Sequence, residues 1–157
     1  MSLNINKNIV LFLVGYCSYI AIEVTARGYS FPIMGVCGGL AIVILDKIND
    51  EISWDIDLFL QGLCGSALIT FFELVIGEFA LHTNLIPKMW DYSNMILNYK
   101  GIICLPFTLL WMALSIVAIF IADAINYYVF SATPLPYYKM LGGRVVLYFK
   151  EKDMQTK

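Results

Sequence analysis

The stretch Leu58-Phe-Leu-Gln-Gly-Leu-Cys-Gly-Ser-Ala-Leu-Ile-Thr-Phe-Phe-Glu-Leu-Val-Ile-Gly-Glu-Phe-Ala-Leu81 decides the fold class. A helix needs about 20 mostly apolar residues to cross the hydrocarbon of a bilayer, and this run is long enough with only Glu73 and Glu78 charged. Asp55 and Asp57 stand just before it, where carboxylates complement the positive end of a helix dipole.

Three further stretches have the same character. Ile9 to about Ala26 is apolar until Glu23. Phe31–Leu45 is shorter and extends into Asp46–Ile48; its Pro32 suits a first helical turn, where a missing amide hydrogen leaves nothing unsatisfied. Gly101 to about Ala122 is free of charge and continues past Asp123 to Phe130. Pro106 kinks or loosens its early turns, and Pro134 and Pro136 stop it. The expectation is an all-α integral membrane protein, a bundle of about four transmembrane helices at roughly 9–26, 31–48, 58–81 and 101–130. One domain over 1–138 is followed by a basic cytoplasmic tail over 139–157.

Composition agrees. Of 157 residues, 60% are hydrophobic and 14% charged, with a mean hydropathy of +0.75. A soluble fold of this size could not hide so much apolar surface. The net charge of −2 gives no reason to seek nucleic acid. Cys17, Cys37, Cys64 and Cys104 match no zinc spacing and read as small apolar helix residues.

Lysine and arginine set the orientation. With four spans, both termini and the Asp46–Asp57 loop share a side holding Lys7, Lys47, Lys139, Arg144, Lys150, Lys152 and Lys157. The other side holds Arg27, Lys88 and Lys100. The positive-inside rule then puts both termini in the cytoplasm of a multi-pass cell-membrane protein. Met1–Asn8 has only Lys7 charged and no clean cleavage site follows, so the first run reads as a retained helix. Ala80–Lys100 carries Trp90, Tyr92 and Tyr99 among apolar residues, which predicts an interfacial or re-entrant segment between helices 3 and 4. Tyr127, Tyr128, Tyr137 and Tyr138 form an interfacial belt. Met140–Phe149 and the basic residues beyond it are expected on the anionic inner leaflet.

This topology gathers Glu23, Arg27, Glu73, Glu78 and His82 near the outer boundary, with Lys88, Asp91 and Lys100 in the loop there. The other half of the helices offers no comparable set. Glu23 and Arg27 are spaced to pair on one helix face. Glu73 and Glu78 are about 140° apart around a helix of 3.6 residues per turn, so they cannot face one point. Two readings stand side by side: interfacial charges that lock helices together, or a polar cavity open to the outer side. Gly35-x-x-x-Gly39 and Gly62-x-x-x-Ser66 allow close helix approach, within the bundle or in a homodimer. Trp111 reads as a lipid-facing or packing residue. Two similar helix pairs, each with a glutamate before the outer turn, hint at a parallel repeat.

The chain contains no Gly-x-x-x-x-Gly-Lys-Ser/Thr phosphate loop, zinc-protease histidine pair or nucleophile elbow. It does carry Glu23-Val-Thr-Ala-Arg27-Gly28-Tyr29-Ser30, Met34-Gly35 and Gly38-Gly39-Leu40. Further on stand Glu73-Leu74, Gly77-Glu78, Trp90-Asp91-Tyr92-Ser93, Asn98, Gly101-Ile102-Ile103-Cys104-Leu105 and Trp111. On these residues, from about Tyr16 to Asp123, the sequence resembles the CmpB/TMEM229 family. Bacterial members carry the labels "putative ABC-transporter type IV" and "putative ABC transporter permease". The resemblance implies a helical membrane protein and points to Glu23, Arg27, Glu73, Glu78, Trp90, Asp91 and Tyr92 as the substrate-binding element.

The functional expectation is a transport-related, multi-pass membrane protein whose outward-facing acidic site binds a small polar or cationic solute. A holin-like pore former or other assembly protein is the alternative, and a membrane-embedded enzyme acting on lipid is a second. The expected partners are the lipid bilayer, further copies of the chain in a homodimer or oligomer, and separate transporter subunits. No cofactor, metal or nucleic acid is expected.

Overall fold

A computed structural model describes residues 6–48, 53–83 and 89–152. Lys88 and Lys157, which entered the charge count, lie outside them, as do parts of the Asp46–Asp57 loop and of the Ala80–Lys100 segment.

The architecture is mostly helical, with four α-helices among the described residues. Helix α1 (Lys7–Arg27) starts at Asn6, whose side chain accepts the amide of Asn8, and ends at Gly28 with φ of 82°. That left-handed turn is a conformation glycine adopts without strain. Helix α2 (Pro32–Lys47) opens on its proline. Helix α3 (Leu58–Thr83) follows Asp57, whose carboxylate accepts the Phe59 amide at 2.9 Å and so satisfies one of the unpaired first-turn donors. Strands β1 (Asn98–Tyr99) and β2 (Ile103–Cys104) pair antiparallel across a turn. Helix α4 (Leu105–Ala124) runs on into a π-helical segment, Ile125–Phe130. Strands β3 (Tyr137–Met140) and β4 (Val145–Tyr148) form an antiparallel hairpin.

Among the described residues three helical segments are long and apolar enough to cross a membrane: Lys7–Arg27, Leu58–Thr83 and Leu105–Phe130. Helix α2 has 16 residues. At 1.5 Å per residue it measures about 24 Å, short of the ~30 Å hydrocarbon layer.

The all-α expectation needs two corrections. Helix α4 begins at Leu105, because Gly101–Cys104 goes into a turn and β2 instead. Met140–Phe149, expected on the leaflet, supplies the second strand of the β3–β4 hairpin, whose Tyr138 is buried against Leu45, Leu58 and Ile119.

Two helical pairs, α1 with α2 and α3 with α4, make up the bundle. A Cβ on Gly15 would fall 2.5 Å from the Gly38 carbonyl oxygen, so these two backbones touch. Gly35 lies against Tyr16 and Gly39 against Phe12. In the second pair Gly62 meets Ile116 and Met112, and Ser66 donates to the Thr108 carbonyl. Both small-residue motifs thus serve packing inside the chain, the mode by which helices associate without water to drive them together. Leu13, Phe59, Leu63, Phe71 and Leu109 point outward and are exposed, a surface suited to lipid.

The end of the bundle that carries Lys7 and the hairpin holds a buried polar group. Lys7 pairs with Asp46 at 3.3 Å, and Asn126, on the π-helical segment, donates to the same carboxylate. Tyr138 donates to Asp123 at 2.6 Å. Asp46, Asp123 and Asn126 are all buried, so the expectation that this half lacks a polar set is wrong. At its rim, Asp55 pairs with Lys139 at 2.7 Å, and Asp57 accepts the Gly142 amide.

Candidate functional site

The seven residues singled out in the sequence lie at the opposite end, but they divide into separate groups. Glu23 pairs with Arg27 at 2.8 Å and accepts from Ser30. Arg27 also donates to the Met89 carbonyl, which ties α1 to the α3–α4 loop, and lies over the Tyr29 ring at 4.7 Å. Glu78 faces outward and pairs with Lys100 at 2.7 Å and with His82 at 3.3 Å. This contact raises the pKa of Lys100, first through its hydrogen bond to Glu78. Asp91 holds its own turn by accepting from the Ser93 amide and hydroxyl. Trp90 donates its indole N–H to the Ile102 carbonyl at 2.6 Å. These contacts fix the loop over the bundle.

Of the four carboxylates in this set, Glu73 is the buried one. It is 2% exposed, and one oxygen accepts the Tyr92 hydroxyl at 3.1 Å. Burial first, and the neighbouring Glu73 second, keep that hydroxyl protonated, well above its ordinary range. The other oxygen, Oε2, has no hydrogen-bond partner among the described residues, and neither has Nε1 of Trp111. The Trp111 indole nonetheless lies within donor reach of this carboxylate, in a poorer geometry than the Tyr92 hydroxyl. Unpaired buried polar atoms are uncommon and call for an explanation.

The explanation is spatial. Glu73 and Trp111 line a cleft of about 120 Å³ between the helices, bounded by Tyr19 and Gly15 of α1, Met34 and Cys37 of α2, and Ser115 of α4. The remaining wall is almost wholly aliphatic, and Glu73 is its sole charged residue among those described. Tyr19 stacks on Trp111 with centroids 5.6 Å apart. Phe107 lies 6.3 Å from Trp111, and Tyr92 stacks on Phe107 at 4.4 Å. These rings form one continuous aromatic chain from α1 through α4 to the loop. Among the described residues no three His, Cys, Asp or Glu side chains converge as metal ligands would.

Sequence reading named Glu73 and Tyr92 but missed Tyr19 and gave Trp111 no site role. Their aromatic character in apolar helices is shared with many packing residues, and only the fold brings them to Glu73. Gly77 was a readable signal. One turn beyond Glu73, it sits against Ile102 of the loop, where a side chain would displace the segment carrying Tyr92.

Comparison with curated proteins and with solved structures finds no match. A family model does match, over residues 5–152, nearly the whole chain. On that match the chain belongs to the CmpB family, described as "Putative ABC-transporter type IV".

Proposed function

We propose that this protein is a transport-related subunit of the cell membrane in which Glu73 anchors a small cationic or polar solute. Helix α2 completes a four-span bundle, the Lys7 and hairpin end faces the cytoplasm, and the Trp90–Ser93 loop caps the outer end of the cleft. The observation that carries the reading is the inward-facing Glu73, a carboxylate buried in the otherwise apolar wall of the cleft and weakly held on one oxygen. A buried carboxylate is stable only when paired or neutral, and a bound cation supplies the pairing. The family description supports a transport role. Glu23–Arg27, Glu78 and Asp91 hold the cap rather than touch the solute. This chain has no phosphate loop, so energy would come from a separate subunit.

The test uses purified protein in a neutral detergent, screened by thermal unfolding against inorganic cations, ammonium compounds and neutral polar solutes. A compound that stabilises the wild type and leaves Glu73→Gln unmoved supports the proposal. Glu73→Gln keeps an oxygen to accept from Tyr92, so it should insert and fold. If no compound distinguishes the two proteins, Glu73 is a structural residue and the reading fails.

A further inference from the structure

We infer that the cleft takes an amphiphile: an alkylated ammonium head against Glu73, Trp111 and Tyr19, with an aliphatic chain along the apolar wall. The inference rests on the proposed role of Glu73 and adds the class of ligand and its route of entry.

Three observations support it. The head end combines a buried carboxylate, one oxygen of which has the Trp111 indole beside it in a poor hydrogen-bond geometry, with the rings of Tyr19 and Trp111 in the same wall. Carboxylate plus aromatic face is the arrangement that recognises alkylated ammonium, which offers charge but few or no N–H donors. A strongly hydrated inorganic cation would need several oxygens, and the wall supplies few. Below this end the lining is aliphatic down to Leu45 of α2 and Ile121 of α4. From Trp111 to Ile121 that wall runs about 15 Å along α4 at 1.5 Å per residue.

The cleft also opens sideways. Ser18 and Ile22 on α1 and Val117 and Ile121 on α4 line it and are exposed. An opening flanked by exposed apolar residues at mid-helix depth faces the acyl chains, so a ligand enters from the bilayer. Size and charge narrow the class further. A volume of about 120 Å³ approaches that of an engineered cavity of ~150 Å³ that holds benzene, enough for the head and the first part of the chain, the rest of which leaves through the lateral opening. With no cationic residue in the wall, a phosphate beside the ammonium would meet Glu73 without compensation. The structure therefore favours a single-chain ammonium over a phospholipid headgroup.

The experiment measures binding to the full chain in neutral detergent, by thermal unfolding and by titration calorimetry. The probes are decyltrimethylammonium below its micellar concentration, tetramethylammonium, decylphosphocholine and decyl sulfate. Decyltrimethylammonium should bind the wild type, and Glu73→Gln should weaken it about tenfold or more, the scale of a lost charge-assisted contact. Ser18→Phe, which plugs the lateral opening and leaves Glu73 in place, should weaken decyltrimethylammonium while sparing tetramethylammonium. Decylphosphocholine and decyl sulfate should not compete. Tetramethylammonium binding as tightly as decyltrimethylammonium would overturn the amphiphile class and leave the solute-binding role of Glu73 standing. Equal binding of decylphosphocholine would assign a lipid headgroup instead. If neither ammonium probe distinguishes wild type from Glu73→Gln, the amphiphile is excluded; only a different cation from the wider screen would then preserve the role of Glu73.

Discussion

The Tyr92 hydroxyl donates to Glu73, 19 residues earlier in the chain, at 3.1 Å. This bond joins the loop beyond α3 to the buried carboxylate that lines the cleft. Tyr92→Phe keeps the stack on Phe107 and removes the bond. It should cost about 1 kcal/mol of stability, the usual net value of one hydrogen bond. The same change should make the Glu73 double variant non-additive, because residues in direct contact share their energies. Thermal unfolding of Tyr92→Phe, Glu73→Gln and the pair, in one detergent, provides the check.

Asp46 is the centre of the tail-end polar group, holding Lys7 and Asn126 at once. Asp46→Ala would leave Lys7 and the Asn126 amide without this partner inside the bundle. Breaking a buried pair from one side costs about 3 to 5 kcal/mol. Asp46→Asn keeps an acceptor for Asn126 and should lose less. Proteolysis or thermal unfolding should rank the variants wild type, Asp46→Asn, Asp46→Ala. Equal stability of all three would show that this end is not locked by Asp46.

The contact of Gly15 with the Gly38 backbone sets the distance between α1 and α2. Gly15→Val would force the helices apart, at a cost of about 1 to 3 kcal/mol for overpacking. Leu13→Val, two residues away on the exposed face, should be nearly silent by the same assay.

The hairpin has an acid-sensitive fastening. The Lys139 hydrogen bond, followed by that of Tyr137, holds Asp55 below the usual carboxylate range. A folded pKa below the unfolded one gives stability that is present above the unfolded value. It is lost as pH falls through the folded value. Protection of the hairpin from proteolysis should therefore weaken in that acidic window, and Asp55→Asn should remove the dependence. The effect will be modest because the pair is solvent-exposed.

Much of the helix layout was legible. The apolar run at 58–81 became Leu58–Thr83 and that at 9–26 became Lys7–Arg27, since the length of uninterrupted apolar chain is set by the bilayer. The divergence of Glu73 and Glu78 followed from their spacing alone. The tail-end polar group was not legible. Asp46 and Asn126 are 80 residues apart, each beside an apolar run, and nothing local reveals that one satisfies the other. The β3–β4 hairpin was hidden for a similar reason. Its residues are apolar and aromatic with Lys139 and Arg144 among them, as in a membrane-surface segment, and only burial of Tyr138 under α4 separates the two. In the candidate site, the sequence gathered the carboxylates at one end without showing that Glu23, Glu78 and Asp91 are occupied by Arg27, Lys100 and Ser93. Partner choice among charges depends on side-chain direction, which periodicity describes only for residues on one helix.

The most direct test of the account is whether Glu73 is reached from the bilayer and covered by ligand. Membranes containing the full chain would be treated at mildly acidic pH with an apolar carbodiimide, which reacts with carboxyl groups in lipid-accessible sites. Mass spectrometry would then locate the adduct, with and without decyltrimethylammonium. The account expects modification at Glu73, little at the Arg27-paired Glu23, and protection of Glu73 by the ammonium probe. An unreactive Glu73, or one labelled equally with and without any cation that the protein binds, would contradict it.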